Sequence, residues 1–237
     1  RRQWQPRAIK HPLFQNLTRV QAQAHLAQRP VGEGLFRPSS KGTDHVTLTW
    51  KVDDGVYSHV DIKELDKTSA LALGHRLRIF DEIYADMDEV QVRFLEPLHA
   101  LARRLRRSPK FHPGTAQDIE RELQAEHARD PRRVHYLVGH NARYPGAFLF
   151  FFHHKGRVRR EVIVLHPNGY RVQRQVVGER PQDVINHFKK AFAKRSQSRA
   201  PGPAPPAPAS TAVQAVGAPT AVAAAADTRA PRRKRWG

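Results

Sequence analysis

From Val46 to Val52 the chain alternates strictly. Val46, Leu48, Trp50 and Val52 fall on one side and Thr47, Thr49 and Lys51 on the other, the period-two pattern of a strand with one dry and one polar face. Asp53-Asp54-Gly55 reads as a hairpin turn. The next strand puts Val56, Val60 and Ile62 on one face and Tyr57, His59 and Asp61 on the other. A shorter strand at Gly34 to Arg37 precedes both, and the three together predict an antiparallel sheet with one buried face. Before them, Thr18 and Gln21 predict a capping box that opens a helix. Val20, Ala24 and Ala27 with Leu26 supply its apolar side, and Arg29-Pro30 ends it. After the sheet, Met87, Val90, Phe94, Leu98, Leu101 and Leu105 recur at spacings of three and four, the core stripe of a helix from Asp86 to about Arg107. Pro97 predicts a kink or break near Glu96. Arg103, Arg104, Arg106 and Arg107 lie off the stripe and suit a solvated helix end.

The same order then repeats. Thr115 to about Ala128 predicts a helix, with Ile119 and Leu123 four apart. Val134 to Val138, Ala147 to Phe152 and Val158 to Leu165 predict strands, and Pro167-Asn168-Gly169 a turn. Pro181 opens a last helix with Val184, Ile185, Phe188 and Phe192 on its apolar face. From about Ser196 the composition collapses to Pro, Ala, Ser and Thr, which cannot bury enough apolar surface to fold. The organisation predicted is α+β: a linker over 1–8, a first unit over 9–110, a second over 111–195, and a disordered basic tail over 196–237. Each unit is a central antiparallel sheet flanked by helices.

Charge narrows the partners. Lysine and arginine number 41 against 22 acidic residues, a net charge of +19, which favours nucleic acid, phosphopeptide or an acidic protein surface. There is no cysteine, hence no disulfide framework or thiol chemistry, in keeping with an intracellular protein. The first residue is Arg1 and the single methionine is Met87, so the chain reads as a piece of a longer protein. No apolar run approaches the roughly 20 residues that span a bilayer, and no signal peptide is visible. Enzyme readings find no support: His153 and His154, adjacent on a strand, point to opposite faces, and no zinc motif or Gly-rich nucleotide loop is present. No metal and no cofactor are expected.

The chemistry concentrates in Gly34-Leu35-Phe36-Arg37-Pro38-Ser39-Ser40-Lys41-Gly42. Arg37 points to the same side of its strand as Leu35, and a buried unpaired charge is costly. The loop after it offers two hydroxyls, an ammonium and backbone N–H groups, the parts of a phosphate pocket. This stretch with the following Thr43-Asp44-His45-Val46-Thr47-Leu48-Thr49-Trp50-Lys51-Val52, and then Gly55-Val56-Tyr57-Ser58-His59-Val60-Asp61-Ile62-Lys63-Glu64, resembles the first half of a Src homology 2 domain. The surroundings resemble the tandem modules of a family of transcription elongation factors and histone chaperones, strongly from about Ile9 to Phe94 and more weakly from Arg132 to Phe192.

The resemblance implies a non-catalytic phosphopeptide-binding module. It implies that Arg37 is the phosphate-binding arginine, with Arg19 at the start of the first helix, His59 on the central strand, and Ser39, Ser40 and Lys41 in the loop. It implies an atypical second unit, serving as scaffold, with Lys189 in the last helix as candidate for another phosphate and Arg132, Arg133 and Arg159 as weaker ones. The implied partner is the phosphorylated linker of the largest RNA polymerase II subunit, in the nucleus, with nucleic acid or histones met elsewhere in the protein. The competing reading is a basic nucleic-acid-binding protein without a specific pocket. The cluster Arg232-Arg233-Lys234-Arg235 fits nuclear import, RNA contact or neither.

Overall fold

Thr18 caps the first helix as its spacing predicts: its hydroxyl accepts from Gln21 N, and Gln21 Oε1 accepts from Thr18 N at 2.9 Å. The computed structural model describes residues 5–154 and 156–197, with side chains up to 191. The tail, its basic cluster and the side chain of Phe192 lie outside the described residues. Helix α1 runs Arg19–Ala27. Its buried residues are Ala22 and Leu26, not the expected Val20, which is 74% exposed, nor Ala24 or Ala27. Ala22 and Leu26, four apart, pack with Leu35, and Val20, two positions before Ala22, falls on the other side of the helix.

Five antiparallel strands form the first sheet, in the order of the chain: β1 (Gly34–Pro38), β2 (His45–Asp53), β3 (Val56–Leu65), β4 (Arg76–Ile79) and β5 (Glu82–Tyr84). The register sets Arg37 opposite Thr47 and Thr47 opposite Asp61, with Leu35, Thr49 and His59 as the neighbouring row. One face therefore carries Leu35, Arg37, Thr47, Thr49, His59 and Asp61 towards α1. The other carries Phe36, Val46, Leu48, Trp50, Val52 and Ile62 into the core.

Against that second face lies a continuous helical run: α2 (Met87–Val90), a π turn (Gln91–Leu95) and α3 (Glu96–Arg106). The Glu96 N–H reaches five residues back to Gln91 O, and Pro97, which has no N–H to give, follows at once. The break expected near Glu96 is thus a single wide turn inside a helix that continues. All six apolar residues of the predicted stripe are buried.

The second half repeats the plan: α4 (Ala116–Arg129), capped by Thr115 with Asp118, then β6 (Tyr136–His140), β7 (Ala147–His154), β8 (Arg157–His166), β9 (Gly169–Val172), β10 (Gln175–Gly178) and α5 (Pro181–Gln197). Its sheet is ordered β10-β9-β8-β7-β6. One apolar cluster runs from Trp50 and Leu48 through Leu98, Leu101 and Leu105 of α3 to Phe148, Ile163 and Tyr170 of the second sheet. The Tyr170 hydroxyl donates to Leu101 O at 2.9 Å, out of water. Asp53, the last residue of β2, accepts from Arg106 of α3 at 2.5 Å and pairs with His140 Nε2 at 2.8 Å.

Candidate functional site

Arg37 is 7% exposed, between the first sheet and α1. Its Nε donates to Thr49 Oγ1 at 3.0 Å and one terminal nitrogen donates to Pro38 O at 3.1 Å. Both partners are neutral, and among the described residues Arg37 makes no ion pair. A guanidinium that is mostly desolvated without a carboxylate is an arrangement that folding alone does not favour. Burial, and then the nearby charge of Arg19, lower the Arg37 pKa.

His59 completes the row. Its Nδ1 lies 3.0 Å from Thr49 Oγ1 and its Nε2 lies 3.0 Å from Gln23 Nε2 of α1. An amide nitrogen only donates, so that contact requires His59 Nε2 to accept and Nδ1 to carry the proton given to Thr49. Burial, then Arg19, then Arg37, push the His59 pKa down to about 4. The face is therefore a positive field built from two arginines around a neutral imidazole, able to take up an anion with oxygen acceptors.

The loop after β1 is tied beside this row. Ser39 Oγ donates to Asp61 Oδ1 at 3.4 Å, Lys41 Nζ donates to Asp61 Oδ2 at 2.9 Å, and His45 Nδ1 lies 2.9 Å from the same oxygen. Ser39 is buried, and its Oγ accepts from Lys41 N. Ser40 is exposed. The structure thus brings Arg37, Thr49 and His59 together, sets Arg19 within electrostatic reach, and holds Ser39 and Lys41 on Asp61. Gln23 and His45 escaped the sequence reading: Gln23 sits on the helix face misjudged through Val20, and His45 lies one pair beyond the Thr47 row.

A groove of about 620 Å³ crosses the open edge of β3 from this face. Lys41, His59 and Asp61 line it on the polar side, and Phe80, Leu98 and Tyr144 on the apolar side. The second half closes it: at Gly146, whose φ is +98°, a Cβ would stand 2.6 Å from Ser58 Oγ of β3.

The second half has no equivalent of Arg37. Phe14 bridges Phe36 in the first half as Phe111 bridges Val138 in the second, so Gly139 occupies the Arg37 position. A Cβ there would lie 2.3 Å from Ile119 Cδ1 of α4; the space is filled by an apolar side chain. By the same register Phe151 stands for Thr49 and Arg160 for His59, and Arg160 is paired with Glu120 at 2.6 Å. Lys189 is exposed at the rim of a small cleft lined by Val134, Tyr136, Phe150 and Phe188, and the Lys110 ammonium stands 5.3 Å from the Tyr136 ring centre. Arg133 lies near Lys110 in a neighbouring hollow, whereas Arg132 and Arg159 are simply exposed.

The family profile for the SH2 domain matches residues 1–191. The transcription elongation factor SPT6 of Drosophila melanogaster is 35% identical over 193 residues, which cover 78% of this chain and 10% of that protein. The chain thus spans about a tenth of the length of that curated relative. A solved tandem SH2 domain of the elongation factor Spt6, described as binding the phosphorylated C-terminal repeat domain of RNA polymerase II, superposes with a TM-score of 0.75 at 28% identity, over 82% of this chain and all of that one. The tandem SH2 domains of Antonospora locustae Spt6 share the fold, with a TM-score of 0.63 at 20% identity over 76% of this chain and 93% of that one. With two successive sheets of one plan and a profile that runs through both, this chain belongs to the SH2 domain family, as a tandem module similar to those of Spt6 elongation factors.

Proposed function

We propose that this chain is the phosphopeptide-docking module of a nuclear transcription elongation factor and histone chaperone, that it carries out no catalytic step, and that it tethers that factor to the phosphorylated largest subunit of RNA polymerase II. The observation that carries the reading is Arg37: 7% exposed, bonded among the described residues to the neutral groups of Thr49 and Pro38, and flanked by Arg19 and a neutral His59. A phosphate supplies the missing counter-charge, and the guanidinium fork suits two of its oxygens. Ser39, Ser40 and Lys41 form the loop side of that pocket; a phosphate draws Lys41 from Asp61. The module divides at Lys110–Phe111, because Phe111 already bridges into the second sheet. Lys189, beside Tyr136 and across from Lys110, is the candidate cation for a second phosphate.

The ligand is the phosphorylated linker ahead of the C-terminal repeats. Peptides from the linker and from the repeats, phosphorylated and plain, are titrated into wild type and Arg37→Ala, with single-stranded RNA as competitor. Phospho-dependent binding to the linker peptide falls by about 2 to 5 kcal/mol in Arg37→Ala, while RNA binding is unchanged, since one charge in 41 hardly alters the whole field. If folded Arg37→Ala bound phosphopeptide as wild type does, the basic-surface account would replace the pocket. Preference for repeat over linker peptides would correct the ligand alone.

A further inference from the structure

Helix α3 carries His99, Arg103 and Arg106 and is followed by its C-cap Arg107, at spacings of three and four from Arg103, so all four share one face. With Val31 from the loop before β1, they line a cavity of about 430 Å³. It is remote from the Arg37 pocket in the fold, because Arg37 faces α1 and α3 packs on the other side of the sheet. Two polar atoms of its lining residues, His99 Nδ1 and Arg106 Nε, are buried without a hydrogen-bond partner among the described residues. The backbone of Gly32, at φ +104°, lies directly on the imidazole, where a Cβ would come within 2.3 Å of the ring.

The charges around the cavity are unevenly compensated. Arg106 is paired with Asp53 at 2.5 Å and Arg104 with Glu179 at 3.5 Å. Arg103 and Arg107 are exposed and make no ion pair among the described residues. Burial, then Arg106 and Arg103, lower the His99 pKa. A solvated helix end requires neither a cavity nor buried polar atoms without partners.

We propose that this cavity binds a single phosphate monoester, that of a phosphorylated protein side chain, independently of the Arg37 pocket. The forks of Arg103 and Arg107 reach its oxygens from the rim, and Arg106 Nε and His99 Nδ1, covered in the unliganded structure, are donors that a turn of their side chains brings to it from below. Asp53 and Glu179 neutralise the cations on either side and repel a continuing polyanion, which disfavours a nucleic-acid backbone running through it.

The test is an NMR titration of the chain with O-phosphoserine, against serine at matched ionic strength, following the backbone amides of Val31, Gly32 and residues 103–107. The expected result is a saturable shift with O-phosphoserine alone. The combined variant Arg103→Ala with Arg107→Ala, both exposed and checked for folding by circular dichroism, weakens it by at least about tenfold, since the charge-assisted bonds of both rim arginines are lost. Arg37→Ala leaves it unchanged, which separates this cavity from the other pocket. Absence of saturation, equal shifts with serine, or indifference to the combined variant overturns the proposal. So does a response of these amides to single-stranded RNA, lost in the combined variant, where O-phosphoserine gives none.

Discussion

His59 stands between two cations in a partly dry space, and its proton reports on both. Its folded pKa is about 4, below its ordinary value of 6.5. Between these values the unfolded chain binds a proton that the folded chain does not, so stability falls as pH drops below about 6.5 and the loss is complete below about 4. Urea unfolding at steps from pH 7 to 4.5 is expected to show a shallower decline for His59→Gln than for wild type; parallel declines would sink this account of the imidazole. Saturating phosphopeptide opposes the field of Arg19 and Arg37, and is expected to flatten the wild-type decline as well. At this scale the sequence was legible where side chains alternate: Arg37, Thr49, His59 and Asp61 share a face because a strand has period two. Gly139 was not legible as the counterpart of Arg37, because it is aligned only by the Phe111–Val138 bridge, and its meaning depends on Ile119 filling the space.

Helix α1 positions Arg19 and Gln23 over the pocket through a narrow contact. Leu26 and Ala22 hold it to Leu35 of β1, while Val20 faces solvent. Leu26→Ala is expected to cost about 2 to 5 kcal/mol and to weaken phosphopeptide binding through the loosened helix. Val20→Ala is expected to change stability by no more than about 0.5 kcal/mol. Denaturant midpoints for the two variants decide it, and equal losses would place the helix anchor elsewhere. Elements with long patterns were readable: β2, β3, α4, and the stripe through α2 and α3. Four short strands were not. β4 and β5 are four and three residues long, too short for a period to declare itself. The turn between β9 and β10 takes positive φ at Gln173 and Arg174, where a hairpin signal would show Asn or Gly. Phe80, in the β4–β5 turn, likewise has φ +53°.

The two halves share one core, and α3 is the element between them. Leu98, Leu101, Ala102 and Leu105 are each at most 5% exposed, and the same cluster contains Phe148, Ile163, Leu165 and Tyr170 of the second half. The repeat of the plan was readable in sequence; the shared core was not, because apolar spacing shows that a helix face is buried but not against what. Asp53 adds a polar tie. Burial alone would raise its pKa, but the His140 hydrogen bond, the Asp54 backbone N–H and Arg106 hold it below the usual carboxylate range. That contribution is present above about pH 4 and is lost as pH falls through the lowered pKa. Asp53→Ala is therefore expected to cost about 1 to 3 kcal/mol at pH 7 and to retain a single transition, since the apolar cluster still joins the halves. A fragment ending at Lys110 is expected to fare worse. It would expose the α3 residues that the second sheet covers and leave Leu101 O without the Tyr170 hydroxyl. Calorimetry on the chain, Asp53→Ala and the fragment tests this directly. Two separable transitions in the chain, or a fragment that melts cooperatively near the temperature of the chain, would show that the halves are independent domains and that α3 belongs to the first alone.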